Sequence, residues 1–441
     1  MSPVVTTSPP SHQYHTTPPI AIIGGGLAGL ALAVGLRKHG VRFHIYEAVA
    51  ALAEIGAGIA FGPNSTRALS LIDPGLIEAY KKHATFNENR EHDDTFMSLR
   101  WGMDERKEAG AKAGDLMFHL ADIWYPEGAR KLGVRTRSCI HRARLLDALA
   151  GLLPADAISF GKSFESVEES SDGTVMLHFA DGTTATASAV VGCDGIKSKA
   201  QKIVCGPSVQ ASWVGEYVWR AMVPKVEAEK ALGVELARNG QIYCGYGAYI
   251  VTYPVEHGDF TNMAAVYHEP GDARSWDQGE WTTPATRDEF GKEFAGWHPP
   301  LVDVIKRHCM LDRWAMFNVE HSAAYYKGRV CLLGDSAHAS TPHLGAGAGM
   351  AMEDAFILSN LLATVGEAGR YEDAFRAFDS VRRPRTQKLV ERSRFAGLVN
   401  EFLLPGIGDD VGLIKKHLED SYKWVWHEDL EAQLEKAKKL M

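Results

Sequence analysis

The run IAIIGGGLAGLALAVGLRKHGVRFHIYEA, Ile20 to Ala48, decides the fold. Its first four residues are apolar and mostly β-branched, the pattern of a buried strand. The turn GGGLAG comes next, then apolar residues at helical spacing from Leu27 to His39, then a second strand over Arg42 to Tyr46 with Glu47 at its end. Strand, glycine turn, helix and strand make one βαβ unit, so the spacing predicts an α/β protein with a Rossmann-like nucleotide-binding domain. Gly24, Gly26 and Gly29 complete the GxGxxG spacing in that context. Gly24 permits the tight turn, Gly26 lets a pyrophosphate approach the helix N-terminus between Leu27 and Ala28, and Gly29 lets helix and strand pack closely. Glu47 can then accept the ribose hydroxyls of an adenosine. Nicotinamide and flavin dinucleotides remain equally good fits, because both place an ADP half on this unit.

A second stretch, KGRVCLLGDSAHASTPHLGAGAGMAMED over Lys327 to Asp354, has the same texture. RVCLL reads as a buried strand, the glycine-rich segment after Gly334 as a long tight loop, and a helix begins at about Met350. Such a loop lets backbone N–H groups approach a phosphate or an electron-rich ring, since Gly345, Gly347 and Ala348 present little side chain. Asp335 closes the strand, and Pro342 holds His343 in the loop. Between the two stretches lie a glycine turn reaching Gly58, an expected helix over Asn64 to Ile72, and an amphipathic helix HRARLLDALAGLLP with Arg142 near its start. Two alternating strands around Asp181-Gly182 follow, then a buried strand, Ala189 to Val191, ending at Asp194-Gly195.

With 441 residues, 45% of them hydrophobic and 23% charged, the chain is long enough for two or three domains and a sizeable core. A net charge of −8 without a basic cluster argues against nucleic acid as a partner. The six cysteines show no CxxC spacing and read as buried thiols of a reducing compartment. Residues 1–18 are rich in Ser, Thr and Pro and read as a disordered tail rather than a signal peptide. No run approaches the roughly 18 apolar residues that span a bilayer, so a cytoplasmic protein without membrane contact is expected.

From 205 to 312 the texture changes. EYVWRAMVP, GQIYCGYGAYIVTYPVEHG and FTNMAAVYHEP alternate apolar and polar residues with aromatics between them, as in an antiparallel sheet with one face over a cavity. Arg220 and Tyr253 fall in these runs. No histidine and carboxylate pair stands at ligand spacing on a helix, and no GxSxG elbow is present, so neither a metal site nor a Ser-His-Asp hydrolase is expected.

The N-terminal GxGxxG, GCDGIKS at Gly192 to Ser198, and LLGDSAHASTPHLGAGAGMAMEDA resemble, in order and separation, the three motifs of the class A flavoprotein aromatic monooxygenases. EIGAGIAFGPN, WRAMVP, FAGW and WVWHEDLEAQLEKA are most similar to the salicylate hydroxylase branch, and DRWAMF resembles the fungal phenol dearomatases about as well. The resemblance implies FAD, reduced by transiently docked NADH or NADPH, under a β-sheet roof that covers a small phenolic substrate. It assigns Glu47 to the adenosine ribose, Arg142 to the phosphate side, Asp335 to the ribityl or pyrophosphate end, and Pro342 to Gly349 to the isoalloxazine. Asp194 and Gly195 match its DG motif, which departs from the family at Gln201, where an arginine is usual.

The resemblance also implies the reaction, in which flavin-activated O2, a C4a-hydroperoxide, attacks an electron-rich ring. A phenol must first ionise, and a guanidinium beside it lowers its pKa of about 10 by roughly 1 to 3 units. Arg220 is the candidate for that charge, His343 for the base, and Tyr253 for a hydrogen bond to the phenolate. Decarboxylative hydroxylation of a salicylate-like phenol is the expected activity, with oxidative dearomatisation of a resorcinol-type aldehyde or ketone as the alternative.

On this reading the FAD-binding domain comprises 19–84, 131–204 and 313–390, interrupted by a substrate-domain excursion at 85–130 and the substrate domain proper at 205–312. A helical segment, 391–441, closes the chain of a monomer or homodimer. His338 is assigned to structure, VRRPR to a solvated corner packed against the FAD domain, Pro384 to a helix break or kink, and Trp424 and Trp426 to anchoring the tail on the body or a partner subunit.

Overall fold

The computed structural model describes residues 17–52, 58–89, 94–106, 110–121, 132–134, 137–171, 173–271, 276, 279–366 and 369–441. The tail expected at 1–18 lies, up to residue 16, outside them, as does the glycine turn at 53–57. The four residues of Ile20–Ile23 are all buried, at the heart of a six-stranded sheet. Its order is Tyr326–Lys327, Val330–Leu332, Ala189–Gly192, Ile20–Ile23, Phe43–Tyr46 and Ile158–Ser159. Every neighbouring pair is parallel except the first. Helices Leu27–Lys38 and Gly347–Val365 pack so closely that a Cβ on Gly35 would meet Ser359 Oγ at 2.5 Å. The parallel arrangement brings Gly24, Glu47, Asp194 and Asp335 together just beyond the carboxyl ends of four strands. Ligands of open α/β sheets bind at that edge.

Over this edge lies an eight-stranded roof. Its order is Thr282–Pro284, Asp312–Asn318, Ser212–Pro224, Phe260–His268, Ala248–Val255, Gln241–Gly245, Thr95–Trp101 and Leu116–Ala121. The pairing is antiparallel throughout, except where Gln241–Gly245 meets Thr95–Trp101. Strand alternation divides the side chains of Ser212–Pro224. Tyr217, Trp219 and Ala221 join a core with helices Arg287–Glu293 and Pro299–His308, while Glu216, Val218 and Arg220 point to the opposite face. In the antiparallel register Glu216 stands opposite His268 and Arg220 opposite Ala264.

The C-terminal helices correct two expectations. Helix Tyr371–Asn400 runs unbroken through Pro384. VRRPR is no solvated corner either, since Arg382 and Arg385 are buried. Arg382 pairs with Asp354 at 2.7 Å and Glu353 at 2.8 Å, and Arg385 pairs with Glu353 at 2.8 Å. His338 Nε2 lies 2.6 Å from the other Asp354 oxygen. Unpaired buried charges are costly, so this cluster locks the loop after Gly334, helix Gly347–Val365 and the long helix into one arrangement on both sides of the proline. The tail folds onto the body: buried Trp426 stacks edge-on against Phe96 at 5.0 Å, and Trp424 lies under Arg385, Lys388 and Arg392.

Candidate active site

Sheet edge and roof enclose a cavity of about 710 Å³. Every residue singled out above for cofactor or catalysis lines it, apart from Gly29. A Cβ on Gly29 would stand 2.1 Å from the Gly24 carbonyl oxygen, so that glycine serves packing.

At the nucleotide end Gly24 adopts φ +105°, and a Cβ there would strike the Cys193 carbonyl at 2.4 Å. A Cβ on Gly26 would meet nothing within 4 Å, which leaves the N-terminus of helix Leu27–Lys38 open to the cavity. Glu47 accepts the backbone N–H of Gly25 at 2.6 Å and of Val49 at 2.9 Å, one on each oxygen. Each oxygen keeps a lone pair for a ribose hydroxyl. The Asp194 carboxylate accepts Ser198 Oγ at 2.5 Å and the N–H groups of Lys199 and Ala200, so it caps helix Lys199–Cys205. Gln201, where the resembled family carries arginine, is buried and donates to the Ser336 carbonyl at 2.7 Å. It thereby joins the DG segment to the loop bearing Asp335. Arg142 enters from the first turn of helix Arg142–Ala150.

Farther in, Pro342–Leu344 form a 3₁₀ turn, Gly345 adopts φ +60°, and helix Gly347–Val365 starts with no side-chain cap. Its first turn, with Gly347 and Ala348, faces the cavity. Two uncapped helix N-termini thus open onto one cavity, and both attract electron-rich groups. This donor set fits FAD: the N-terminus of the first helix would hold its pyrophosphate, and that of the second would favour the electron-rich edge of its ring system.

The other end of the cavity belongs to the roof. Tyr253 donates its hydroxyl to the Gly58 carbonyl at 2.9 Å, and a Cβ on Gly58 would meet its ring at 2.9 Å. Burial raises the Tyr253 hydroxyl to about 12, with Cys139 adding to this and Arg137 and Arg220 opposing it. The Arg220 guanidinium sits 4.4 Å over the Trp314 ring, and burial draws its pKa down against the pull of Tyr253 and Asp312. His343 is fully buried, with Nδ1 2.7 Å from Tyr249 Oη and Nε2 3.0 Å from Glu216 Oε2. Nδ1 is thus hydrogen-bonded, whereas Nε2 faces the Glu216 carboxylate without an aligned hydrogen bond, and His343 itself lines the cavity. Burial lowers the His343 pKa, but the Glu216 carboxylate outweighs it and holds the imidazole above its ordinary value.

The sequence model of a family described as FAD binding domain matches residues 17–393. This chain belongs to that family. The chain is 35% identical to the 6-methylsalicylate 1-monooxygenase of Aspergillus terreus, over 94% of this chain and 90% of that protein. It is 34% identical to an FAD-dependent monooxygenase of Monascus ruber over 95% of each. Among solved structures, a salicylate hydroxylase substrate complex superposes with a TM-score of 0.82 at 30% identity, covering 96% of this chain and 98% of that one. Klebsiella pneumoniae HpxO complexed with FAD and uric acid gives 0.68 at 25% identity, covering 96% of each. The protein is a class A FAD-dependent aromatic monooxygenase, with NAD(P)H as reductant.

Four site residues escape the sequence reading. Tyr249 and Val251 share a face with Tyr253 by alternation and line the cavity beside it, a signal legible in GAYIVTYP. Glu216 stands likewise four residues before Arg220 in its strand. Arg137 carries no such signal. It is 2% exposed, lies 4.7 Å over the Tyr253 ring, and its Nε and Nη1 have no hydrogen-bond partner among the described residues. Three distant segments also bring side-chain oxygen and nitrogen atoms of Glu216, His268 and Glu401 within 4.8 Å of one another.

Proposed function

We propose that this monooxygenase hydroxylates a small phenol bearing a carboxylate beside its hydroxyl, a salicylate-like ring, and releases the carboxyl group as CO2. The observation that carries this reading is Arg137. A guanidinium stays charged at any working pH, and a buried one lacking partners is costly. The carboxylates that line the cavity, Glu47, Asp194 and Asp335, all belong to the sheet edge and not to the roof. A substrate carboxylate would supply partners for Arg137 Nε and Nη1, which have none among the described residues, in the bidentate geometry that guanidinium favours. Arg220, on the roof face that carries Tyr253, supplies a second positive charge for the phenolate, lowering the pKa of the phenol by about 1 to 3 units. The aromatic wall excludes water, which strengthens both interactions. Bound FAD, once reduced by NAD(P)H, supplies an electrophilic oxygen atom from O2; the chain's own groups bind, orient and ionise the ring. One NAD(P)H, one O2, two protons and one salicylate then give catechol, CO2, water and the oxidised nicotinamide.

Salicylate and 6-methylsalicylate turnover tests this, with products identified by mass. Catechols and CO2 formed in step with nicotinamide oxidation are expected. Arg137→Met should raise KM for either acid about 10- to 100-fold, the scale of a lost charge-assisted hydrogen bond. An unchanged KM would remove Arg137 from the substrate site. A second reading, dearomatisation of a resorcinol-type aldehyde or ketone, draws support from Arg220 influencing Tyr253, two groups suited to a single phenolate. It predicts oxygen addition with loss of aromatic absorbance, retention of the carbonyl, and much smaller sensitivity to Arg137→Met.

A further inference from the structure

We propose that Glu216, His268 and Glu401 form a binding site for one divalent transition-metal ion, with zinc the best match, which staples the roof to the end of the long helix. The site is independent of the substrate reading. None of its three residues lines the cavity, so the ion touches neither flavin nor substrate. Glu216 and His268 stand directly opposite each other on paired roof strands, and Glu401 follows helix Tyr371–Asn400. Backbone hydrogen bonds tie the third segment to the roof: the Gly247 N–H donates to the Glu401 carbonyl at 2.9 Å, and the His268 N–H donates to the Gly247 carbonyl, also at 2.9 Å. The three side chains are therefore held together before any ion arrives. His268 Nδ1 lies 3.1 Å from Glu401 Oε2 and 3.8 Å from Glu216 Oε1, and one atom of each residue falls within 4.8 Å of the other two. Ligand atoms about 2.1 Å from a tetrahedral ion are about 3.4 Å apart, so small side-chain movements close the cluster on one.

Charge balance is the second observation. Glu353 and Asp354 are buried too, and Arg382 and Arg385 meet them. Glu216 and Glu401 are 1% and 0% exposed, yet their ion pairs among the described residues are with His268 and His343 alone. One oxygen of each carboxylate is buried without a hydrogen bond among the described residues: Glu401 Oε1, and Glu216 Oε2, which only faces His343 Nε2 at 3.0 Å. Buried carboxylates without cationic partners are costly, and one dication neutralises both. An imidazole nitrogen beside two carboxylate oxygens suits zinc, whereas calcium and magnesium favour oxygen ligands throughout.

The side chains of Glu216 and Glu401 are at most 1% exposed, whereas that of His268 is 25% exposed. The ion therefore enters from the surface past this imidazole, where a water completes its four ligands. Because the three protein ligands come from two roof strands and a helix end, a filled site fixes the end of the long helix against the roof. Metal binding of this kind is folding free energy, since the unfolded chain holds the three residues far apart. Sequence spacing could not reveal the site: His268 and Glu401 are 133 positions apart.

The test takes untagged, FAD-loaded enzyme, strips it with EDTA at neutral pH, re-equilibrates it with zinc sulfate and removes free zinc by gel filtration. Elemental mass spectrometry should find one zinc per chain, and the melting temperature should rise with the logarithm of free zinc concentration. Glu401→Gln, nearly isosteric, and His268→Gln should each weaken zinc binding about 100-fold or more, beyond what loss of an outlying partner costs, and should erase the zinc-dependent rise. X-ray absorption at the zinc edge reads the donor atoms in the wild type and so decides the matter even where a variant fails to fold. Oxygen and nitrogen neighbours at about 2.0 to 2.2 Å are expected, with no sulfur at about 2.3 Å. No retained zinc, zinc held undiminished by either variant, or sulfur neighbours from the cysteines would each overturn the site. The substrate reading stands or falls separately, by salicylate turnover.

Discussion

Glu47 shows how much one side chain can be asked to do. Its two oxygens already accept backbone N–H groups on either side of the first strand turn, so the carboxylate is held rigid before any ligand arrives. Preorganisation of this kind reduces the entropy lost on binding. Glu47→Ala should weaken FAD binding by about 1 to 3 kcal/mol, measured as flavin released on dialysis; full retention would show that the ribose is held elsewhere. Glu47 and the three glycines were legible because a tight turn after a strand leaves few residue choices. Arg137 was not, since an arginine among polar neighbours in sequence looks like a surface residue, and only strand pairing buries it beneath Tyr253.

At the scale of elements, the long helix Tyr371–Asn400 is shaped by what it packs against. A Cβ on Gly397 would lie 2.8 Å from the His343 ring, so the glycine is a recess for the imidazole. Alanine is ordinarily better than glycine inside a helix by about 1 kcal/mol. Here Gly397→Ala should instead destabilise by about 1 to 3 kcal/mol through overpacking and displace His343 from Tyr249. A lower melting temperature together with slowed phenol ionisation is expected; a stabilised protein with wild-type ionisation would show that His343 yields freely. The same helix explains the misread basic run. VRRPR looks solvated by composition, but Glu353 and Asp354, which follow the glycine loop, turn inward to meet it.

For the molecule as a whole, that ionic cluster couples the cofactor loop to the C-terminal half, and it makes stability depend on acid. Burial raises the Asp354 carboxyl, but His338 and Arg382 outweigh it and bring the folded value to about 2, against 3.8 ordinarily. A folded pKa below the unfolded one favours the folded state above about pH 4. That contribution, on the order of 2 kcal/mol, fades as pH falls through about 2. Asp354→Asn should therefore flatten the stability profile between about pH 4 and 2, and should cost about 3 to 5 kcal/mol at neutral pH. Chemical denaturation across that range checks both; parallel profiles for variant and wild type would show that another group governs acid unfolding.

The sequence by itself determined the βαβ unit, the three motifs and the flavoprotein class, and it singled out residues that line the cavity at the sheet edge. Those features are local: a period, a turn or a short motif encodes contacts within one strand–turn–helix unit. Only the tertiary structure decided what lies at the roof end of the cavity. Arg137 precedes strand Ser138–His141, Glu216, Tyr249 and His268 stand on three roof strands, and Glu401 follows a helix, so their neighbours are set by long-range pairing such as the cross-strand register that puts Glu216 opposite His268. The charge and proton affinity of a buried group depend on those neighbours more than on its own identity. A motif can therefore name the cofactor, while the surroundings of the roof residues are settled by long-range pairing.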